Sequence, residues 1–333
     1  MKKAPTLFLV LFATYLSLPV TTRANDSTIS LAAGGIKMEK TDKIRINQER
    51  LVVSQKEITV DYEMENITDE VFETLVAFPM PAQNAAELVN VPVLPKDRNS
   101  DNFVEFHVTV DGKEIKTEKD IHAYYIEEDH SEVTAVLEKA GLLILPIKES
   151  FYETLEKLPL ATQNELEKAK LLMIERYDPE HLTYTPTWET KMSYFWKQRF
   201  EPHKVVHIHH RYSPVVGVGY FGKYSFDEER IKWCIDGGTE KAITKLLQRQ
   251  KKSEDAENSY LRRAQVDYVL STGANWAGPI SDFTLTIAKE QPNEIVSTCL
   301  SGLQKTSPLN FTYNAKDFKP KSDLSVIFIR PTQ

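Results

Sequence analysis

Residues 266–287 read VDYVLSTGANWAGPISDFTLTI. Val266, Tyr268 and Leu270 recur at every second position, as do Phe283, Leu285 and Ile287. That period marks strands with one buried face. Between the two arms, Ser271–Ser281 gathers turn formers: Gly273, Asn275, Gly278 and Pro279. The pattern predicts a β-hairpin with a long tip, since hairpin loops usually hold about two to five residues. Trp276 in that tip either plugs the end of a sandwich or stacks on a ligand. Buried aromatics dominate core energetics, which favours the plug.

The same alternation extends outward. Ile44 and Ile46, Leu51 and Val53, then Ile58, Val60 and Tyr62 lie two apart, and Val71–Phe78 runs into Pro79-Met80-Pro81. At least three antiparallel strands are expected there, the last ended by prolines that cannot donate to a ladder. Phe106, Val108 and Val110 share a strand face, and Asp111-Gly112 is a strong hairpin turn. Asn66-Ile67-Thr68 is a glycosylation sequon of little weight in a bacterial-looking chain. Over Ser131–Met173 the period becomes helical: Val133, Val136, Leu137 and Ala140, then Phe151–Leu158 and Gln163–Ile174. Thr183–Phe200 and Lys204–Val216 alternate again, Thr239–Lys252 is helix-like, and Glu294–Leu300 and Leu324–Ile329 supply last strands. The glycine-rich Val216–Gly222 reads as a flexible turn. The fold class is α+β and β-rich, with antiparallel β-sandwich-like domains and a helical insertion. Expected boundaries are a signal peptide at 1–24, an N-terminal β-sandwich domain at 25–128, a helical insertion at 129–180 and a C-terminal β-rich domain with one helix at 181–333.

The leader reading rests on Lys2-Lys3, the apolar run Leu7–Leu18 and Ala24 at the cut. It is too short for a membrane span, so no integral membrane segment is expected after its removal. The expected location is periplasmic or secreted. The chain has 41 basic and 48 acidic residues; losing Lys2, Lys3 and Arg23 takes the net charge from −7 to −10. That excludes the basic footprint a nucleic acid or an anionic membrane needs. Cys234 and Cys299 are the only cysteines. In an oxidising compartment an even pair reads as a disulfide, and closing so long a loop stabilises by about 4 kcal/mol.

Several motifs resemble one family. They are the mature start Ala24–Ser27, Phe78–Pro81, His210–Gly217, Thr272–Ile280, Cys234 with Cys299, and the closing Asp317-Phe318, Pro320 and Asp323-Leu324. Together they are similar to the secreted bacterial domain-of-unknown-function family 4424. The resemblance covers nearly the whole mature chain and is thinnest over Ser131–Met173. It implies export and a β-rich fold, and no established activity.

Chemistry-bearing residues are few. His203, His207, His209 and His210 cluster, and on a strand His207 and His209 share a face, as zinc ligands two apart must. A third ligand has to come from elsewhere, such as His107, His122, His181 or an acid. The bland reading places both on a solvated face. Val206, Ile208, His210 and Tyr212 occupy the opposite face, which turns His210 toward the core. No nucleophile elbow or phosphate-binding glycine loop is present. Trp188, Tyr194, Trp196, Tyr220, Phe221 and Trp276 make either a platform for sugar or peptide or a sandwich core. The reading is a non-enzymatic binding module of the cell envelope that uses no cofactor. Its partner is an envelope protein or glycan, with Trp276, Asn275, His207, His209 and Tyr212 as binding candidates. The alternative is a metal-dependent envelope hydrolase with zinc on the His203–His210 cluster.

Overall fold

The computed structural model describes residues 27–32, 35–88, 97–126, 130–147, 150–178, 181–222, 226–250 and 260–332. The leader expected at 1–24 and the connection holding Pro92 and Pro95 lie outside the described residues. Strand outweighs helix, 48% to 18%, giving a β-rich α+β molecule.

An eight-stranded sheet forms one layer. Its strands run, edge to edge, Gln304–Lys305, Asn310–Phe318, Ile280–Ala288, Ile44–Val53, Ile58–Asn66, Val205–Tyr212, His107–Val110 and Lys113–Glu114. All neighbours are antiparallel except Ile280–Ala288 beside Ile44–Val53, which is parallel. Opposite lie two smaller sheets. One has six strands, centred on Phe72–Pro79 and the long strand Trp188–Phe200, which Glu118–Tyr125 flanks. The other has four, in the order Gly217–Phe221, Leu261–Tyr268, Leu324–Pro331 and Ile295–Thr298. One core joins all three: Leu51, Val60, Ile208 and Leu285 from the large sheet meet Val76, Phe78 and Trp196 from the second and Val266, Tyr268 and Val326 from the third. The hydroxyls of Tyr62 and Tyr268 meet across it at 3.3 Å.

The quoted stretch is not a hairpin. Its arms, Leu261–Tyr268 and Ile280–Ala288, belong to different sheets, and the tip arches over the core between them. Every alternating position is buried as expected: Val266, Tyr268, Leu270, Phe283, Leu285 and Ile287. Stacked sheets stand about 10 Å apart, a gap that a tight turn cannot bridge, so the tip is long. Ser271–Asn275 coils as a 3-10 turn within it. Its backbone is sewn to the N-terminal strands: Thr41 N–H donates to the Asn275 carbonyl (2.8 Å) and Ala277 N–H to that of Ile44 (2.8 Å).

Ile44–Val53 reads as two runs in sequence because a bulge between Ile46 and Gln48 shifts the inward parity. Ile44 and Ile46 are buried before it, Leu51 and Val53 after it. Strands from either side of the helical segment share sheets: Ile58–Asn66 pairs with Val205–Tyr212, and Phe72–Pro79 with Trp188–Phe200. The sequence boundaries at 128 and 180 are therefore not sheet boundaries.

The helical segment contains Thr134–Lys139, Phe151–Lys157 and Leu160–Lys168. The third helix stops short of the expected Gln163–Ile174. Lys170 takes a left-handed φ of 55°, and Leu171 N–H returns to the Leu166 carbonyl at 2.9 Å, the closing bond of a Schellman-type stop. Leu172–Asp178 then pairs with His181–Pro186 as a β-ribbon. Leu137, Phe151, Leu155, Leu166 and Leu172 form a second core around Trp188, at the start of the long strand. The C-terminal segment carries two helices rather than one, Phe226–Lys232 and Gly237–Gln250. Val216–Gly222, expected as a flexible turn, contains the edge strand Gly217–Phe221. A third core sets Trp233, Ile235 and Ile243 against Ile327 and Ile329. The four-stranded sheet is thus covered on both faces, which accounts for the unbroken apolar run Val326-Ile327-Phe328-Ile329.

Candidate functional site

Where the six-stranded and four-stranded sheets meet, facing the large sheet together, they leave a cleft of about 410 Å³. Pro79, Met80 and Met192 form one wall, and Asp267, Tyr268, Asp323 and Leu324 the other. Its polar rim comes from Glu118–Tyr125. In that strand Ala123 is buried and Ile121 packs on the main core, so the two-residue period turns Asp120, His122 and Tyr124 the other way. All three line the cleft, and Lys191 lies opposite His122 on the neighbouring strand.

His122 sits between two carboxylates, with Nδ1 2.6 Å from Glu132 Oε1 and Nε2 3.0 Å from Asp120 Oδ1. Desolvation pulls its pKa down, but the hydrogen bonds to Glu132 and Asp120 outweigh that and raise it above the ordinary 6.5. The hydrogen bond from His122 in turn lowers the Glu132 carboxyl. Asp120 Oδ2 also accepts the Ile36 N–H at 3.0 Å. With both ring nitrogens donated to acids, His122 has no lone pair free to take a proton. Below its raised pKa the ring is a cation held by two acids. The Lys191 ammonium lies 4.5 Å from the centre of the Tyr124 ring and 3.3 Å from Glu189.

Met80, Met192 and Asp267 also line a smaller, partly open pocket of about 70 Å³ that reaches Tyr212. Tyr212 is 2% exposed. Its hydroxyl has no hydrogen-bond partner among the described residues. Burial, with the Asp267 charge adding, pushes its ionisation far upward, so it is a neutral hydroxyl at any ordinary pH. Asp267 is held in place by Gln265 Nε2 on one oxygen (2.7 Å) and Ser325 Oγ on the other (2.6 Å).

The other residues singled out from sequence lie elsewhere. Trp276 is 4% exposed and packs in the main core, so its ring offers no face to a ligand. Asn275 is buried and its amide donates to Ser27 Oγ at 3.1 Å. Trp188, Tyr194, Trp196 and Phe221 are likewise core residues; Tyr220 alone of the proposed platform is exposed. His210 is buried among Tyr62, Phe78, Phe106 and Trp196, and desolvation drives its pKa down to about 3. His207 and His209 lie on the outward face of the large sheet, outside the cleft. His209 Nδ1 is 2.7 Å from Asp61 Oδ1, and the His207 backbone N–H donates to Asp111 Oδ1 at 2.9 Å. His203 pairs instead with Asp69 at 2.8 Å. Among the described residues no three His, Cys, Asp or Glu side chains converge as a metal ion would require. Cys234 and Cys299 are bonded, with Cα atoms 5.0 Å apart. The bond ties the segment after Phe226–Lys232 to the end of Ile295–Thr298. Sequence reading named Tyr212 but missed Asp120, Lys191 and Asp267, and gave His122 only as a possible third zinc ligand. The available signal was the Asp120-x-His122-x-Tyr124 alternation.

No helix among the described residues is long and apolar enough to cross a membrane. No curated protein matches the chain. Among solved structures, a protein of Legionella pneumophila subsp. pneumophila, described as "a putative nutrient binding protein", is 15% identical; the match covers 92% of this chain and 70% of that one at a TM-score of 0.42. So distant a likeness carries no argument about function. Residues 24–327 match the model of the Domain of unknown function (DUF4424). With the motifs from Phe78–Pro81 to Asp323-Leu324 all inside that span, the chain belongs to the DUF4424 family.

Proposed function

We propose that this chain is an exported, non-enzymatic binding module of the cell envelope that takes a small polar ligand in the cleft between its six-stranded and four-stranded sheets. The observation that carries this reading is the cleft itself. It has apolar walls with a few fixed charges converging on them, the composition of ligand sites in general. His122 supports binding over catalysis, because both its nitrogens are engaged by Asp120 and Glu132 and a general base needs one free. The disulfide suits an oxidising compartment.

Thermal-shift screening of the mature chain against pools of polar metabolites, sugars and short peptides tests it. At least one pool should raise Tm. The gain should vanish in Ser193→Trp, which fills the cleft from a half-buried position on its wall, and shrink in Lys191→Ala. If no pool distinguishes either variant from the parent, the reading fails. Stoichiometric zinc that disappears in His209→Ala would replace it with the metal-dependent hydrolase.

A further inference from the structure

We infer that the small pocket beside Tyr212 is a subsite for a primary alkylammonium group, one end of a ligand whose remainder lies in the outer cleft. The inference rests on the binding reading above and specifies what chemistry that ligand carries.

Three observations point to it. First, a hydroxyl on a residue 2% exposed has no partner among the described residues, where the other buried tyrosine hydroxyls, those of Tyr62, Tyr184, Tyr194 and Tyr268, have theirs. A buried hydroxyl left unmatched is costly, and the cavity it lines is the place a partner can stand. Second, the lining is acidic. It holds Asp267 and Glu87 and no lysine, arginine or histidine. Asp267 accepts one hydrogen bond on each oxygen, and a carboxylate can accept about four, so its capacity is half spent. A donor-only cation meets that demand; an anion does not. An ammonium has three donors to distribute among Asp267, the Tyr212 oxygen and the amide oxygens nearby. Third, the space is short, and beside the polar Gln83, Asn84, Thr190 and Gln265 it has an apolar part. About 70 Å³ is several times what one water needs, and Met80, Met192 and Val215 supply walls for an aliphatic stem. The two methionines line both spaces, and their unbranched side chains can swing to admit a stem. In the outer cleft the rest of the ligand meets His122 and Lys191, each already paired with acids, beside Asp323.

The test uses ethylammonium chloride as the probe and ethanol as its neutral counterpart, followed by amide NMR shifts of the full mature chain at constant ionic strength. Ethylammonium should titrate in the millimolar range, near the ceiling for a three-atom ligand. It should shift residues of the Val205–Tyr212 and Leu261–Tyr268 strands, with ethanol giving no saturable response. Tyr212→Phe removes the oxygen and keeps the ring, and should weaken binding about tenfold; Asp267→Asn keeps the shape and should abolish it. Equal responses to ethylammonium and ethanol, or unchanged titrations in both variants, would mean that the cavity holds ordered water only, and would overturn the inference. The two failures separate cleanly. If pool ligands still lose affinity in Lys191→Ala and Ser193→Trp, the cleft stands and the ammonium subsite alone falls; if neither variant affects any ligand, the cleft falls with it.

Discussion

Asn66 shows how a sequence motif can be spent on structure. Its side chain is fully buried. The amide donates to the carbonyls of Glu70 (2.8 Å) and Phe200 (3.0 Å), while its oxygen accepts from the N–H (3.0 Å) and hydroxyl (2.8 Å) of Thr68. The sequon threonine is thus a turn partner, and no oligosaccharide can reach the amide. Asn66→Ala should cost about 1–3 kcal/mol, because the Phe200 carbonyl and the Thr68 N–H lose their side-chain partner, while the Thr68 hydroxyl keeps the Glu70 carbonyl at 3.1 Å; urea unfolding measures it. His122 makes a second residue-scale prediction. Its folded pKa is raised, so the stability it contributes is present below the unfolded value near 6.5 and is lost as pH rises through the higher folded value. Glu132 is lowered, so its contribution is present above its unfolded value and fades as pH falls. The Tm gap between the parent and His122→Gln should therefore be widest between about pH 5 and 6.5 and close on the alkaline side. A gap that widens with pH would contradict the carboxylate-clamped imidazolium. The clamp itself was not legible in sequence: Asp120 and His122 are two residues apart, but Glu132 reaches them only because Tyr125 N–H bonds the Ser131 carbonyl and folds the chain back.

Elements were legible where their signal is local. Asp111-Gly112 forms the hairpin turn expected of it, joining His107–Val110 to Lys113–Glu114 with both residues at positive φ, 49° and 76°. No heavy atom lies within 4 Å of where a Gly112 Cβ would stand, so Gly112→Val tests backbone strain alone. It should cost about 1–2 kcal/mol, visible as a lower Tm with an unchanged far-UV spectrum. The helix ending at Lys168 was over-extended because its stop uses Lys170 in the left-handed region, where a glycine would have announced it. The arch at 271–281 was misread for another reason. Period-two alternation fixes which side chains face inward, and it fixed them correctly; it carries no information about which strand lies alongside. The inward face of Leu261–Tyr268 is equally satisfied by a neighbour in its own sheet or by a sheet across the core. The cleft was least legible, since its lining comes from residues 79–82, 120–124, 191–193, 267–269 and 323–325, far apart in sequence and in two sheets.

At the scale of the whole molecule, one buried aromatic knot spans the layers. Phe78 of the six-stranded sheet stands within ring contact of His210 and Tyr212 in the large sheet and Tyr268 in the third. Stability is therefore shared among the sheets, and unfolding should be a single transition. Leu285→Ala, at a fully buried position between two paired neighbours, should cost about 2–5 kcal/mol. It should lower the midpoints reported by tryptophan fluorescence and by far-UV dichroism together; separate midpoints would show the sheets to be independent. The parallel seam between Ile44–Val53 and Ile280–Ala288 also sets a timetable for biosynthesis. A chain delivered from its N-terminus leaves the backbone N–H and C=O groups on one flank of Ile44–Val53 unpaired until residue 288 has emerged. Such an edge is a template for intermolecular pairing. The topology thus opens a long window of aggregation risk, which closes only when residues 282–287 settle against residues 48–53.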